Sequence, residues 1–67
     1  MTKMEINLIR DCLDCIEYAE ERLAWAKTQK ALFEEIGDTK RAKEFATTIA
    51  TWKHTIEENK NEIKSLL

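Results

Sequence analysis

Cys12 and Cys15 stand two residues apart in the stretch Asp11-Cys12-Leu13-Asp14-Cys15. This spacing occurs in metal sites and in dithiol redox centres, so any chemistry in the chain is sought here first. A structural zinc takes four ligands, usually from two such pairs. The chain has two cysteines and one histidine, His54. Cys15 and His54 fall too far apart along a helical hairpin to share an ion, so a zinc would need both cysteines from each of two copies. A redox thiol needs a cation or a helix N-terminus to hold its thiolate. The neighbours here are Asp11, Asp14 and Glu17, which keep the proton on. Both cysteines lie beside Ile9, Leu13, Ile16 and Ala19, and free cysteine commonly packs as a small hydrophobe. The sequence therefore reads them as packing residues, with no metal and no cofactor.

His54 follows Lys53 and falls outside the apolar repeat, as a surface histidine does. No serine, cysteine or carboxylate is placed to complete a catalytic triad with it. A single glycine cannot build a phosphate-cradling loop. The expectation is a protein that is not an enzyme.

The remaining charged feature is acidic. Asp11, Asp14, Glu17, Glu20 and Glu21 fall within eleven residues. One reading is a solvated helix face, paired in part with Lys60 and Lys64. The other is an acidic docking surface of Asp11, Asp14, Glu17 and Glu21 for a basic partner, with Tyr18 in its midst.

These residues need a scaffold, and 67 residues allow one small domain. A chain of this size buries only roughly 60% of its unfolded surface and usually needs a staple or a second copy. Charged residues make up 36% and nearly balance, for a net charge of −2. The basic excess of a nucleic-acid-binding protein is missing. The start, Met1-Thr2-Lys3-Met4-Glu5, has no apolar signal region. No apolar run approaches the roughly 20 residues of a membrane span. A cytoplasmic protein with free thiols is expected.

The chain has no proline and one glycine, Gly37. Thr2 and Glu5 form a capping-box pattern. Gly37 suits a helix end, and Asp38 suits the next N-cap. The expected fold is all-α: an antiparallel two-helix hairpin, coiled-coil-like, with helices at about 3–36 and 39–66 and a turn at 37–38. Glu34 and Glu35 sit at the negative end of the first helix, with Lys40 and Arg41 across the turn to offset them.

The second helix carries a heptad repeat: Ala42, Ile49, Ile56 and Ile63, interleaved with Phe45, Trp52, Asn59 and Leu66. Asn59 is the polar exception, either a buried register-fixing residue or a solvated one. The first helix opposes this seam with Ile6, Ile9, Leu13, Ile16, Ala19, Leu23 and Ala26. Pairing across the turn sets Leu23 against Trp52, Ala26 against Ile49, Ile16 against Asn59 and Leu13 against Ile63. A second set, Tyr18, Trp25 and Leu32, recurs every seven residues, with Ile36 near its line. On a helical wheel it is expected opposite the first stripe. An exposed patch of this kind marks an interface. The expected use is a homodimer in which two hairpins form a four-helix bundle.

The turn segment Gly37-Asp38-Thr39-Lys40-Arg41-Ala42-Lys43-Glu44-Phe45 resembles the turn of a tetratricopeptide repeat over nine residues. The rest of that signature and a second copy at the repeat spacing are absent, so the likeness is a shared helix-turn-helix solution. In architecture the expected dimer is similar to Rop-type plasmid RNA-binding proteins, which are dimers of helical hairpins. That likeness implies contacts to phosphate, and Lys27, Lys30, Lys40, Arg41 and Lys43 gather at the turn end to supply them. The leading expectation is different: a small protein-interaction module, a regulator or inhibitor of another protein, of a kind frequent in phages and mobile elements. A purely structural bundle is the third reading.

Overall fold

The computed structural model describes all residues, 1–67. Two helices, α1 (Lys3–Glu35) and α2 (Thr39–Leu66), pack against each other as a hairpin measuring 52 × 15 × 11 Å.

The local signals act as their chemistry dictates. The Thr2 hydroxyl accepts from the Glu5 backbone N–H at 3.2 Å. The Glu5 carboxylate accepts in return from the Thr2 N–H and hydroxyl, at 3.2 and 2.9 Å. These bonds satisfy amide donors that the first helical turn leaves open. They also hold the Glu5 carboxyl below its ordinary pKa, because they favour its charged form.

At the other end α1 stops at Glu35, with Ile36 as its C-cap, one residue short of the expected limit. Gly37 takes φ +81°, which glycine enters without the Cβ clash that other residues meet. The Gly37 N–H then donates to the Glu34 carbonyl at 3.2 Å, and the Asp38 N–H to the Phe33 carbonyl at 2.8 Å. This is a Schellman closure. Asp38 begins α2 by accepting from the Arg41 N–H at 3.1 Å.

The charges at this end are arranged differently from expectation. Lys30, one turn back on α1, meets Glu34 at 2.7 Å. Arg41 pairs with its own cap residue Asp38 at 3.6 Å instead of with α1. Neighbours on one helix hold each other more readily than residues whose side chains must cross a turn.

The seam is built from small residues. Cys12, Ala19, Ala26, Ala42 and Ile56 are the buried residues, and Ala19 and Ala26 are wholly inaccessible. Ile9, Ile16, Leu23 and Phe33 of α1 are half-buried beside them. The expected first stripe is corrected at two places. Ile6 and Leu13 stand 45% and 54% exposed, while Cys12 takes the core position. The residues that face α2 follow the spacing Ile9, Cys12, Ile16, Ala19, Leu23, Ala26. Ile6 and Leu13 lie one residue round the helix from that line, roughly 100° away. Leu13, expected against Ile63, therefore lies off the buried line, and Cys12 is buried in its place.

On α2 the heptad holds: Phe45, Ile49, Trp52, Asn59, Ile63 and Leu66 are half-buried, with Ala42 and Ile56 buried. Asn59 donates its side-chain amide to the Thr55 carbonyl at 2.8 Å. It is thus satisfied within its own helix and makes no bond across the seam. The threonines do likewise. The hydroxyls of Thr47, Thr48, Thr51 and Thr55 each donate to the carbonyl four residues back.

Candidate functional site

The largest side chains of the hairpin flank its seam. The Tyr18 ring meets Trp52 edge-on at 5.7 Å between centroids. Trp25 meets Phe45 in the same manner at 5.4 Å, and Phe45 stacks on Phe33 at 5.6 Å. The Arg22 guanidinium lies over the Trp25 ring at 4.4 Å, and Arg41 lies over Phe33 at 5.5 Å.

These contacts correct the expected position of the second stripe. Tyr18 and Trp25 were expected on the face of α1 opposite the seam, yet both reach rings of α2. Tyr18 precedes Ala19, and Trp25 precedes Ala26, so each starts roughly 100° from the buried line. An aromatic side chain is long enough to lean back from there over the groove. The stripe is therefore a side flank of the hairpin. It stays open to solvent all the same: Tyr18 is 57%, Trp25 43%, Leu32 51% and Ile36 72% exposed.

The flank is also longer than the four residues found from the seven-residue repeat. Met4, Leu8 and Cys15 extend it toward the N-terminus, and all three are exposed. With them the residues fall on a line whose positions alternate at intervals of four and three once the polar ones are counted, the spacing of a helix-packing seam. The signal is present in the sequence as Met4, Leu8, Asp11, Cys15, Tyr18, Arg22, Trp25, Gln29, Leu32 and Ile36. Asp11, Arg22 and Gln29 interrupt its apolar run, which is why a search for apolar residues alone misses it.

The two cysteines occupy different environments. Cys12 is buried in the seam, and Cys15 is exposed on the flank. Burial pushes the Cys12 thiol up from its ordinary pKa, and Glu62, Cys15 and Asp11 push it further in the same direction. A raised pKa disfavours the thiolate that metal binding and redox exchange both require. No three His, Cys, Asp or Glu side chains converge in a way that would hold a metal ion.

His54 is exposed, and its Nε2 lies 2.8 Å from a Glu58 carboxylate oxygen. Glu58 stands beside it because residues four apart share a helix face. The acidic residues Asp11, Asp14, Glu17 and Glu21 are all exposed along α1. The expected pairing of this acidic face with Lys60 and Lys64 is not formed. The ion pairs, Lys30–Glu34, Arg41–Asp38 and His54–Glu58, each lie within one helix or its cap.

Of the basic residues at the turn end, Lys30 and Arg41 are held by Glu34 and Asp38. A shallow dent of about 230 Å³ lies there, lined by Lys30, Glu34, Thr39, Ala42, Lys43 and Ala46. No helix is long and apolar enough to cross a membrane.

Comparison with known proteins adds no relative. No family model, curated protein or solved structure matches the chain.

Proposed function

We propose that this chain is a small non-enzymatic protein-interaction module. It self-associates through the open flank of α1 and, so assembled, binds and regulates another protein. One observation carries the reading: Tyr18, Trp25 and Leu32 form a line of large apolar side chains that the hairpin leaves about half exposed. Exposed apolar surface of this extent usually marks an interface. The flank lies roughly 100° around α1 from the seam that meets α2. That is close to the right angle between neighbours of a helix at the corner of a four-helix bundle, and a homodimer of that shape is the assembly proposed. Burying the flank removes on the order of a few hundred Å² of apolar surface per chain, at roughly 25 cal/mol per Å². A cytoplasmic location and a regulatory role, with the acidic residues Asp14, Glu17 and Glu21 beside the flank docking a basic protein partner, belong to the same proposal.

Sedimentation equilibrium tests it. The wild type should be a dimer at about 100 μM. Leu8→Glu, which puts a charge on the exposed flank at a residue with no aromatic partner on α2, should give a folded monomer. Trp25→Glu should do the same, with some loss of stability because Trp25 also packs on Phe45. A monomeric wild type would overturn self-association. A dimer indifferent to both substitutions would place the contact elsewhere. Retention of RNA that falls steeply with salt would instead favour the Rop-like reading.

A further inference from the structure

We infer that the occupant of this flank is α1 of a second copy, docked antiparallel, with Asp11 of each chain facing Arg22 of the other. The inference rests on the self-association proposed above. Its basis is the placement of charge within the flank. The apolar residues Met4, Leu8, Cys15, Tyr18, Trp25 and Leu32 lie on a line whose positions, with Asp11, Arg22 and Gln29 included, run at intervals of three and four. Two charged residues interrupt them, Asp11 and Arg22, of opposite sign. Neither forms an ion pair within its own chain. Arg22 is half-buried, its guanidinium laid over the Trp25 ring and so fixed within the flank.

A twofold dimer brings each patch onto itself, and charge decides the direction. Parallel docking in register sets Asp11 on Asp11 and Arg22 on Arg22, two like-charge contacts as the surface loses water. Antiparallel docking about a dyad midway between Cys15 and Tyr18 sets each Asp11 on an Arg22. The same dyad sets Cys15 on Tyr18 and Leu8 on Trp25, a smaller side chain against a larger one at each level. Each of these pairs joins one residue from each interleaved set of the flank, as antiparallel helix packing requires. Helix α1 spans Lys3–Glu35, so residues 3–30 of the two copies overlap in this register and Leu32 lies at the end of the contact.

Charge reversal tests the arrangement. Asp11→Arg and Arg22→Asp should each weaken the dimer about tenfold or more, by placing like charges opposite one another. The double variant Asp11→Arg/Arg22→Asp restores opposite signs and should return dimerisation to within about threefold of wild type. Circular dichroism on each variant should show an intact hairpin. A second measurement does not depend on charge. In a Cys12→Ala background, the two Cys15 residues lie about 4.5 Å apart along the axis in this register, at three residues' rise. A short bismaleimide should therefore link them within the dimer. A register slipped by one heptad toward the C-terminus separates them by about 15 Å along the axis and blocks the link, whereas a slip toward the N-terminus leaves about 6 Å and is excluded by the charge reversal, because Asp11 no longer faces Arg22 there. A dimeric wild type whose double variant stays as weak as the singles, or whose Cys15 pair does not cross-link, overturns this register and leaves self-association standing. A monomeric wild type removes both.

Discussion

Tyr18 of α1 and Trp52 of α2 meet edge to face, with centroids 5.7 Å apart and ring planes at 82°. The pair joins the flank to the seam. Tyr18 is exposed on the side where a partner is proposed to dock, and Trp52 is half-buried in the groove. A partner seated on the flank would therefore press on residues that also hold the hairpin closed.

Trp52 should be among the most damaging single truncations. Its half-burial and its contact with Tyr18 set an expected cost of about 2–4 kcal/mol for Trp52→Ala, at or below the range for a fully buried aromatic. Thr47 is exposed, and its hydroxyl bonds only its own helix at 3.4 Å. Thr47→Ala should be neutral or slightly stabilising, since alanine is the better helix former. Urea unfolding of both variants checks this, and similar midpoints would mean that the core has been misplaced.

The wholly inaccessible alanines set how closely the helices approach. Ala26→Leu adds three carbons where Ala26 has no accessible surface, and should cost about 1–3 kcal/mol through overpacking. Ala24→Leu, two residues away on the exposed side, should change stability by less than about 0.5 kcal/mol. Thermal melts at equal protein concentration compare the two. Equal melting temperatures would show slack in the seam that the burial of Ala26 does not allow.

The thiols should differ in reactivity although they stand three residues apart. Cys15 is exposed, whereas Cys12 is buried with its pKa raised. Iodoacetamide at pH 8, with the protein dilute enough to be monomeric, should alkylate Cys15 first, leaving Cys12 protected until the hairpin opens. Mass spectrometry of the native protein over time reads the order. Replacing both with alanine should cost about 1–2 kcal/mol, mostly from Cys12, and preserve the fold. Stoichiometric zinc in protein purified without added metal would contradict the packing role of the pair.

The cap of α1 should respond to acid. Hydrogen bonds from Thr2 lower the Glu5 pKa in the folded state. The contribution of the cap is thus complete above the ordinary carboxylate range, and it is lost as pH falls through the lowered folded value. An NMR titration of the Glu5 carboxyl should place its midpoint below that of an unstructured glutamate. Thr2→Ala should move the midpoint back up and increase fraying of the first turn. An unchanged midpoint in that variant would mean that the capping box does not persist in solution.

Much of this fold is legible in the chain because its signals are local. The Thr2–Glu5 box, Gly37 and Asp38 act over three or four residues, and each works without knowledge of the rest of the molecule. The heptad of α2 is equally plain, since its apolar residues lie on a single line flanked by polar ones. Helix α1 carries apolar residues on more than one line, and there the sequence leaves the rotation of the helix open. Cys12 and Leu13 compete for one level of the seam, and the two choices differ by a turn of roughly 100° about the axis. Contact with α2 decides between them. The line through Cys12, Ala19 and Ala26 places small side chains at the interface and lets the helices close on each other. That rotation, in turn, fixes where Tyr18 and Trp25 emerge. They are brought to the edge of the groove, where they lean on Trp52 and Phe45 and still face solvent. Residue type fixed that these side chains are large and apolar. The depth to which each is buried depends on the relative rotation of two helices, and only their packing sets it.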